Sequence, residues 1–386
     1  LVVCKRLLIA GIVTLLTSAA AASTWSVQRD GTGDFTSIQP ALDAAADGDT
    51  ILIGPGEYTE STTIRPPGWA YDIQSYADLR CDNLTIIGAG ADVTVIGPAT
   101  YQGNAATGNP AGLSYGGGGT LRISDVGIRH SYAMYVIGVL YMDRCRLADN
   151  TNGLSWNPSG PGGWVRDSDF EVTESIFDPE SFEIGYGGLG GSIVLERNRF
   201  ESTSVVLGVN GMTIRDCDLS VLHVYSGAQV YVDGCRPGAA SAGILLGMGA
   251  GNFCSVTNSE LRDPQAALWV DESSPGGRFV VQNSRLEGGS YALFYAGYNA
   301  GSCEVRNCDL VKGVGPMVRC GQGGPSITHD MRYNYWGTTD EATIQFWIID
   351  HMDNSSIGAT VLYSPFAGQS VPTESTSWGD LKALFR

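Results

Sequence analysis

Residues 210–219 read NGMTIRDCDL and residues 301–310 read GSCEVRNCDL. Each places two apolar side chains one residue apart (Met212 and Ile214; Cys303 and Val305), then a polar turn, then a thiol (Cys217; Cys308), then Leu two positions on (Leu219; Leu310). Period-two alternation belongs to strands, and the skipped beat between the two pairs belongs to a bend of one or two residues. The pattern recurs in VLYMDRCRL (139–147), GWVRDSDF (163–170), SIVLERNRF (192–200), FCSVTNSEL (253–261) and RFVVQNSRL (278–286).

Taking the small residue as the anchor of each repeat gives Gly56, Ala89, Val126, Cys145, Ser168, Asn198, Cys217, Cys235, Ser259, Ser284, Cys308 and Asn334. From Val126 onward these anchors stand 18 to 30 residues apart. A unit of that length cannot bury its inner face alone, so the units must stack. The predicted fold is all-β, a single-stranded parallel β-helix of about 11–12 rungs with short helical caps. At ~4.8 Å per rung the rod is about 55 Å long.

Composition limits the partners. The formal charge is −17, and removing Lys5 and Arg6 with an N-terminal segment makes it −19. Only Lys312 and Lys382 would then remain as lysines, so nucleic acid and anionic membranes are excluded as expected partners. Lys5 and Arg6 precede the apolar run LLIAGIVTLLTSAAAA, with Ala20 and Ala22 placed for cleavage. Residues 1–22 therefore read as a secretory signal peptide, with no transmembrane anchor after cleavage and a secreted, extracellular or periplasmic destination.

The predicted organisation is an N-terminal cap strand and helix over 23–55, the parallel β-helix over 51–337, a C-terminal cap over 338–367, and a linker with a short tail helix over 368–386. Thr36 or Ser37 is placed to cap the first helix, with Ile38, Leu42 and Ala45 on one face. Thr338 and Glu341 suggest a capping box for a second, with Ile344, Trp347, Ile348 and His351 at helical spacing. The tail presents Trp378, Leu381, Leu384 and Phe385, for docking on the rod or on a sorting partner.

Asn258, Asn283 and Asn307 stand just before their anchors, with Asp167 and Asp216 in equivalent places. Asn and Asp tolerate the left-handed backbone a sharp bend needs, and their amides are expected to form a ladder along the rod. Cys217 and Cys235 are expected on neighbouring rungs, close enough to bridge. Cys254 and Cys303 fall two rungs, ~10 Å, apart, too far for a bond. No CxxC or paired Cys/His spacing points to a metal centre.

The repeats, the amphipathic cap and the asparagine bends together resemble right-handed parallel β-helix proteins of the pectin lyase-like superfamily, over nearly the whole chain after residue 22. The segment DGTGDFTSIQPALDAA (30–45) followed by ILIGPGEYTE (51–60) is similar to the start of pectin methylesterases, with Gly56, Tyr58 and Glu60 matching that family's first G-x-Y-x-E signature. The later signatures are absent: there is no DFIFG-like strand or LGRPW, none of the NTD, DD, GHG and RIK motifs of polygalacturonases, and no vWiDH or RxPxxR of pectate lyases. The resemblance implies the right-handed fold and carries over no catalytic residue.

Candidate functional residues come from three places. A third strand per rung is visible in segments such as AMYV, GLSW, VLHV, ALWV and ALFY, with Tyr135, Ser155, Val206, His223, Leu245, Trp269, Phe294 and Val318 read as outward. That row holds no carboxylate, Arg or Lys, which argues against paired-carboxylate or metal-assisted chemistry. A second outward row alternates in charge through Asp143, Arg166, Glu196, Arg215 and Asp233, beside Tyr141, Trp164 and Val194. Third, the insertions at 59–83, 98–120 and 171–192 bring Trp69, Tyr71, Tyr76, Tyr101, Tyr115 and Tyr186, with Trp156 adjoining. Long loops on a rigid scaffold commonly carry function. Trp69, Tyr71, Tyr76, Tyr101, Tyr115, Trp156, Trp164 and Tyr186 are the predicted ligand-binding set. Asp178, Glu180 and Glu183 are a weak Ca²⁺ candidate; no other cofactor is implied. Lys312 is the single lysine of the rod that a lysine-based lyase would use.

Three functions fit these features. The first is a secreted protein that binds polysaccharide without pectin-degrading chemistry. The second is a divergent polysaccharide lyase or carbohydrate esterase. The third is a structural or assembly module of the cell surface.

Overall fold

The computed structural model describes residues 21–65, 72–98, 110–131, 134–148, 150, 153–170, 180–185, 192–238, 241–298 and 301–370. The signal-peptide reading of 1–22 and the tail helix fall outside these residues, apart from Ala21 and Ala22 at the one end and 368–370 at the other. Between them the chain winds as a three-sided parallel prism. One face carries the strands that precede each bend, such as Asn210–Arg215 and Phe253–Thr257; a second carries the short strands after it, such as Asp218–Leu219 and Glu260–Arg262; a third carries strands such as Leu222–Tyr225 and Leu268–Val270. Among the described residues the pairings between strands of successive rungs are parallel, an isolated antiparallel bridge joins Ala242 to Arg262, and one antiparallel hairpin, Thr62–Ile64 with Ile73–Ser75, stands off the prism.

The side chains stack in columns. On the first face Leu121, Leu140, Gly163, Ile193, Met212, Val230, Cys254, Phe279 and Cys303 follow one another in register. On the second face Ile128, Leu147, Phe170 and Phe200 do the same, with the two Phe rings stacked at 5.1 Å. These side chains are buried, so each rung supplies the partner its neighbour lacks. Emptying one such site costs about 2–5 kcal/mol.

The anchors from Val126 to Asn334 share one column, as the pairings beside them fix: Gly127 with Arg146, Arg146 with Asp169, Asp169 with Arg199, Arg199 with Asp218, Asp218 with Arg236, Glu260 with Arg285, Arg285 with Asp309, and Asp309 with Tyr335. The second rung departs from the sequence reading. Thr94, not Ala89, holds the anchor place opposite Gly56, because that rung turns through five further residues before resuming its strand. The Thr94 hydroxyl accepts the Ala89 N–H (2.8 Å) and closes the wider turn.

The bends are left-handed, with φ of +50° at Asn258 and Asn283, +54° at Asn307, +48° at Asp167 and +53° at Asp216. An amide ladder does not form there. A left-handed residue at the corner aims its side chain outward, and Asn283 and Asn307 are exposed. The ladder runs instead through the inward anchors. The Cys145 N–H donates to Ser168 Oγ (3.0 Å), Ser168 N–H to Asn198 Oδ1 (3.0 Å), Cys235 N–H to Ser259 Oγ (3.0 Å), Ser259 N–H to Ser284 Oγ (3.2 Å) and Cys308 N–H to Asn334 Oδ1 (2.9 Å). Cys217 and Cys235 stand on successive rungs as free, buried thiols, and burial raises the Cys235 thiol well above its ordinary value.

Helix α1 (Ile38–Ala44) buries Ile38, Ala41 and Leu42 over the N-terminal end of the prism. The G-x-Y-x-E residues lock this cap to the first rung. Tyr58 is buried and its hydroxyl donates to the Gly54 carbonyl (3.0 Å), while Glu60 pairs with Arg29, whose guanidinium lies 4.7 Å over the Tyr58 ring. Helix α2 (Glu341–Phe346) is shorter than its periodicity suggested. Asp340 takes the N-cap place without a side-chain cap bond, and Thr338 and Glu341 form no capping box because the Thr338 hydroxyl accepts the Asp340 N–H (3.1 Å). Ile348–Ile349 then leaves the helix to pair with Val318–Cys320, which is why Ile344 and Ile348 are both buried without sharing a helical face.

Candidate functional site

On the third face the outward column runs Asp78, Ser114, Tyr135, Ser155, Glu183, Val205, His223, Leu245, Trp269, Tyr295, Arg319 and Ile349. Val206, Phe294 and Val318, read as outward from sequence, point into the core and are fully buried. In these strands both faces carry apolar residues, so alternation alone does not fix the frame, and a slip of one residue exchanges the faces. The correction matters chemically, because the true column contains Asp78, Glu183 and Arg319.

The N-terminal half of the column lies in a cleft of about 590 Å³. Thr63, Ile64 and Arg65 of the hairpin form one wall, and Asp78, Arg80, Tyr135, Ser155, Asn157 and Glu183 line the rest. The alternation in Asp78-Leu79-Arg80 buries Leu79 and directs its two neighbours outward, where Arg80 pairs with Asp78 at 2.7 Å. Glu183 is half-buried, and among the described residues no cation pairs with it. Burial raises its carboxyl above the ordinary glutamate value. Asp78 and Glu183 are four rungs, ~19 Å, apart. Paired-carboxylate glycoside hydrolysis works at about 5–9.5 Å, so these two do not form such a pair.

Further along the column a second depression of about 490 Å³ is bordered by Thr203, His223, Leu245, Asp263, Gln265 and Trp269. His223 Nδ1 meets the Tyr225 hydroxyl at 3.0 Å. The nearby carboxylates serve the backbone: Asp263 accepts from the N–H groups of Gln265 (2.8 Å) and Ala266 (3.2 Å), and Asp271 from that of Ser273 (2.9 Å). Next comes an aromatic platform. Trp269 stacks on Tyr291 (5.3 Å, 18°) and meets Tyr295 (4.6 Å), and the Arg319 guanidinium lies 4.6 Å over Tyr291. Among the described residues the Trp269 indole N–H has no hydrogen-bond partner.

The predicted ligand set is only partly brought together. Trp69, Tyr71, Tyr101, Tyr186 and Asp178 lie outside the described residues, as does the Glu180 side chain. Tyr76, Tyr115 and Trp156 are core residues. Tyr115 and Trp156 occupy the inward column with Val136, Ile184 and Val206, and the Trp156 indole donates to the Gly138 carbonyl (2.9 Å). Tyr115, expected in an insertion loop, ends the strand Leu113–Tyr115, and Trp156 lies on Leu154–Arg166, which like Met134–Asp143 is a single strand that runs around a corner of the prism. Gly138 makes that corner with φ +136°, where a Cβ would lie 2.7 Å from the Gly119 carbonyl. Burial, with the Asp82 charge adding to it, pushes the Tyr115 hydroxyl up to about 12. Trp164 is half-exposed on the first face, away from the cleft. Lys312 is committed elsewhere, donating to the carbonyls of Gly313 (3.1 Å) and Gly315 (2.9 Å). Among the described residues no group of three His, Cys, Asp or Glu side chains is placed to hold a metal ion.

Sequence reasoning missed Asp78, Arg80, Tyr291, Tyr295 and Arg319. The available signal was Leu79, whose burial fixes the outward direction of both neighbours.

No family model and no curated protein matches the chain. Among solved structures, the catalytic unit of a GH87 α-1,3-glucanase from Streptomyces thermodiastaticus strain HF3-3 superposes with a TM-score of 0.51 at 15% identity, over 93% of this chain and 71% of that one. Pectin methylesterase from carrot aligns over 96% of this chain and 97% of its own at 12% identity, with a TM-score of 0.27. A DFA-IIIase from Arthrobacter chlorophenolicus A6 aligns over 92% and 65% at 12% identity, with a TM-score of 0.25. The glucanase likeness is one of fold. The chain folds as a right-handed parallel β-helix.

Proposed function

We propose that the third face binds a polysaccharide chain laid along the rod, outside the cytoplasm. The observation that carries this reading is the single outward column, which joins the cleft, the second depression and the Trp269 platform over ten rung steps, roughly 50 Å. A face of that length with aromatic rings at one end and hydroxyl, amide and charged groups at the other suits a polymer of sugar rings. The acidic charge of the chain disfavours nucleic acid as the polymer. The apolar run after Lys5 and Arg6 supports export. No metal ion enters the proposed contacts, so a chelator is expected to leave binding unchanged. A glycan array identifies the ligand, and Trp269→Ala is expected to weaken it about tenfold. An array with no signal, or one unaffected by Trp269→Ala, refutes the reading.

Glu183 favours a second reading, a divergent carbohydrate-cleaving enzyme. A half-buried carboxyl whose pKa burial raises is better suited than an exposed one to donate a proton to a leaving oxygen. Incubation with neutral glucans, pectins and alginates tests it: product release abolished by Glu183→Gln supports this reading, and no product at high protein load removes it.

A further inference from the structure

The first face carries an aromatic surface of its own, on a different side of the prism from the cleft. Its outward row runs Thr85, Arg122, Tyr141, Trp164, Val194, Thr213 and Tyr231. Tyr141 and Trp164 are half-exposed neighbours on successive rungs, with ring centres 5.4 Å apart and planes inclined at 55°. The Arg122 guanidinium lies 4.4 Å over the Tyr141 ring and that of Arg166 lies 4.4 Å over Trp164. Arg122, Tyr141 and Trp164, with Ile87 and Ser124, border a shallow depression of about 270 Å³.

Arginines around this depression are mostly neutralised. Arg144 pairs with Asp125 (2.7 Å) and with Asp143, and Arg166 pairs with Glu196 (3.0 Å). Arg122 is exposed and, among the described residues, meets no carboxylate within ion-pair distance. In a chain with many more acidic than basic groups, an uncommitted guanidinium beside two half-open rings is a recognition group in waiting.

We propose that Arg122, Tyr141 and Trp164 form a second glycan site, which takes a neutral polysaccharide. Three features favour that ligand. Ring faces on successive rungs repeat along the rod, as sugar units repeat along a polymer. The N–H groups of the guanidiniums that lie over the rings donate to the hydroxyls of a sugar packed against the exposed part of the same rings. The adjacent Asp125, Asp143 and Glu196 leave no net positive field to hold a polyanion. The inclined rings follow a twisted chain rather than a flat crystalline surface.

The test is affinity gel electrophoresis of the full chain in laminarin, dextran and galactomannan, with polygalacturonate as the charged comparison. At least one neutral polymer is expected to retard the protein. Trp164→Ala and Arg122→Gln should weaken that retardation, the former about tenfold, while Trp164→Phe keeps most of it. In the Trp269→Ala background, residual retardation should vanish on adding Trp164→Ala. Thermal unfolding of each variant confirms that the fold persists, and Arg122→Gln, which alters an exposed side chain, carries the test if Trp164→Ala does not fold. The inference is overturned if no neutral polymer retards the protein, if only polygalacturonate does, or if retardation ignores both Trp164→Ala and Arg122→Gln. Loss of the third-face effect with retention of the Trp164 effect leaves this site standing alone.

Discussion

His329 lies in the core near the C-terminal end, 1% exposed, on the strand Gly323–Asp330. Its ring packs against Phe294 (5.1 Å, edge-on), Cys303 stands in register on the preceding rung and Val361 on the next. Neither ring nitrogen has a hydrogen-bond partner among the described residues. Burial disfavours the imidazolium and lowers the pKa from 6.5 to about 4. The folded state therefore binds fewer protons than the unfolded chain between these two values. This histidine's contribution is complete above pH ~6.5 and is lost as the pH falls toward ~4, a total of about 3 kcal/mol. At pH 4.5 roughly 2.5 kcal/mol of that is already gone. His329→Leu keeps the volume approximately and removes both the titration and two unsatisfied nitrogens, so it should be at least as stable at neutral pH. Guanidinium unfolding of both proteins at pH 7.5 and 4.5 measures the effect. The wild type should lose about 2.5 kcal/mol more than the variant between the two pH values. Asp330, held at about 2 by its hydrogen bonds with Arg332, contributes equally to both proteins and at lower pH. The same pH dependence in both proteins would falsify the assignment of a buried neutral imidazole.

Three other outcomes follow from the geometry. Asn334 is fully buried and makes three hydrogen bonds, accepting from Cys308 N–H (2.9 Å) and donating to the carbonyls of Val305 (2.7 Å) and Met331 (2.8 Å). Asn334→Ala should lower the unfolding free energy by about 3 kcal/mol, and a change under 1 kcal/mol in denaturant titration contradicts the ladder. At Asn283, with φ +50°, Asn283→Val should cost about 1–2 kcal/mol while Asn283→Gly stays near wild type; equal melting temperatures for the two variants count against a left-handed bend. Of the eight cysteines among the described residues, only Cys81 is partly exposed. Ellman's reagent should label no more than Cys81 of these in the native protein and all eight after denaturation, and mass-spectrometric labelling of native Cys217 or Cys235 refutes the packing.

Much of the rod was legible because one physical demand recurs in every rung. The bend admits a left-handed residue and then a small inward one, so the column from Val126 to Asn334 can be read at a glance from GMTIRDCDL and its relatives. Legibility failed where that demand relaxed. The second rung carries a wider turn, which hid Thr94 behind Ala89. The third strands have apolar residues on both sides, so the frame at Val206, Phe294 and Val318 slipped, and with it went Tyr295 and Arg319. Trp156 is decided by the strand frame itself, since an outward Ser155 turns it inward. Tyr115 sits in the expected insertion 98–120 for another reason. Glycines such as Gly138 turn a strand around a corner as readily as they make a loop, and only the three-dimensional register separates the two uses.

The anchor ladder has an orientation. From Cys145 to Asn334 each donor is the backbone amide of one winding, and each acceptor is a side chain of the winding that follows. Each turn is thus left with an orphaned amide until its successor arrives, and ordering spreads like a zipper with unequal ends. Deleting turns from the C-terminal side strips the anchor amide left behind of its acceptor, whereas deleting them from the N-terminal side leaves the anchor amides paired and frees only side-chain donors such as those of Asn198 and Asn334. Nested truncations should therefore unravel asymmetrically, with early-onset amide exchange at a cut C-terminal edge.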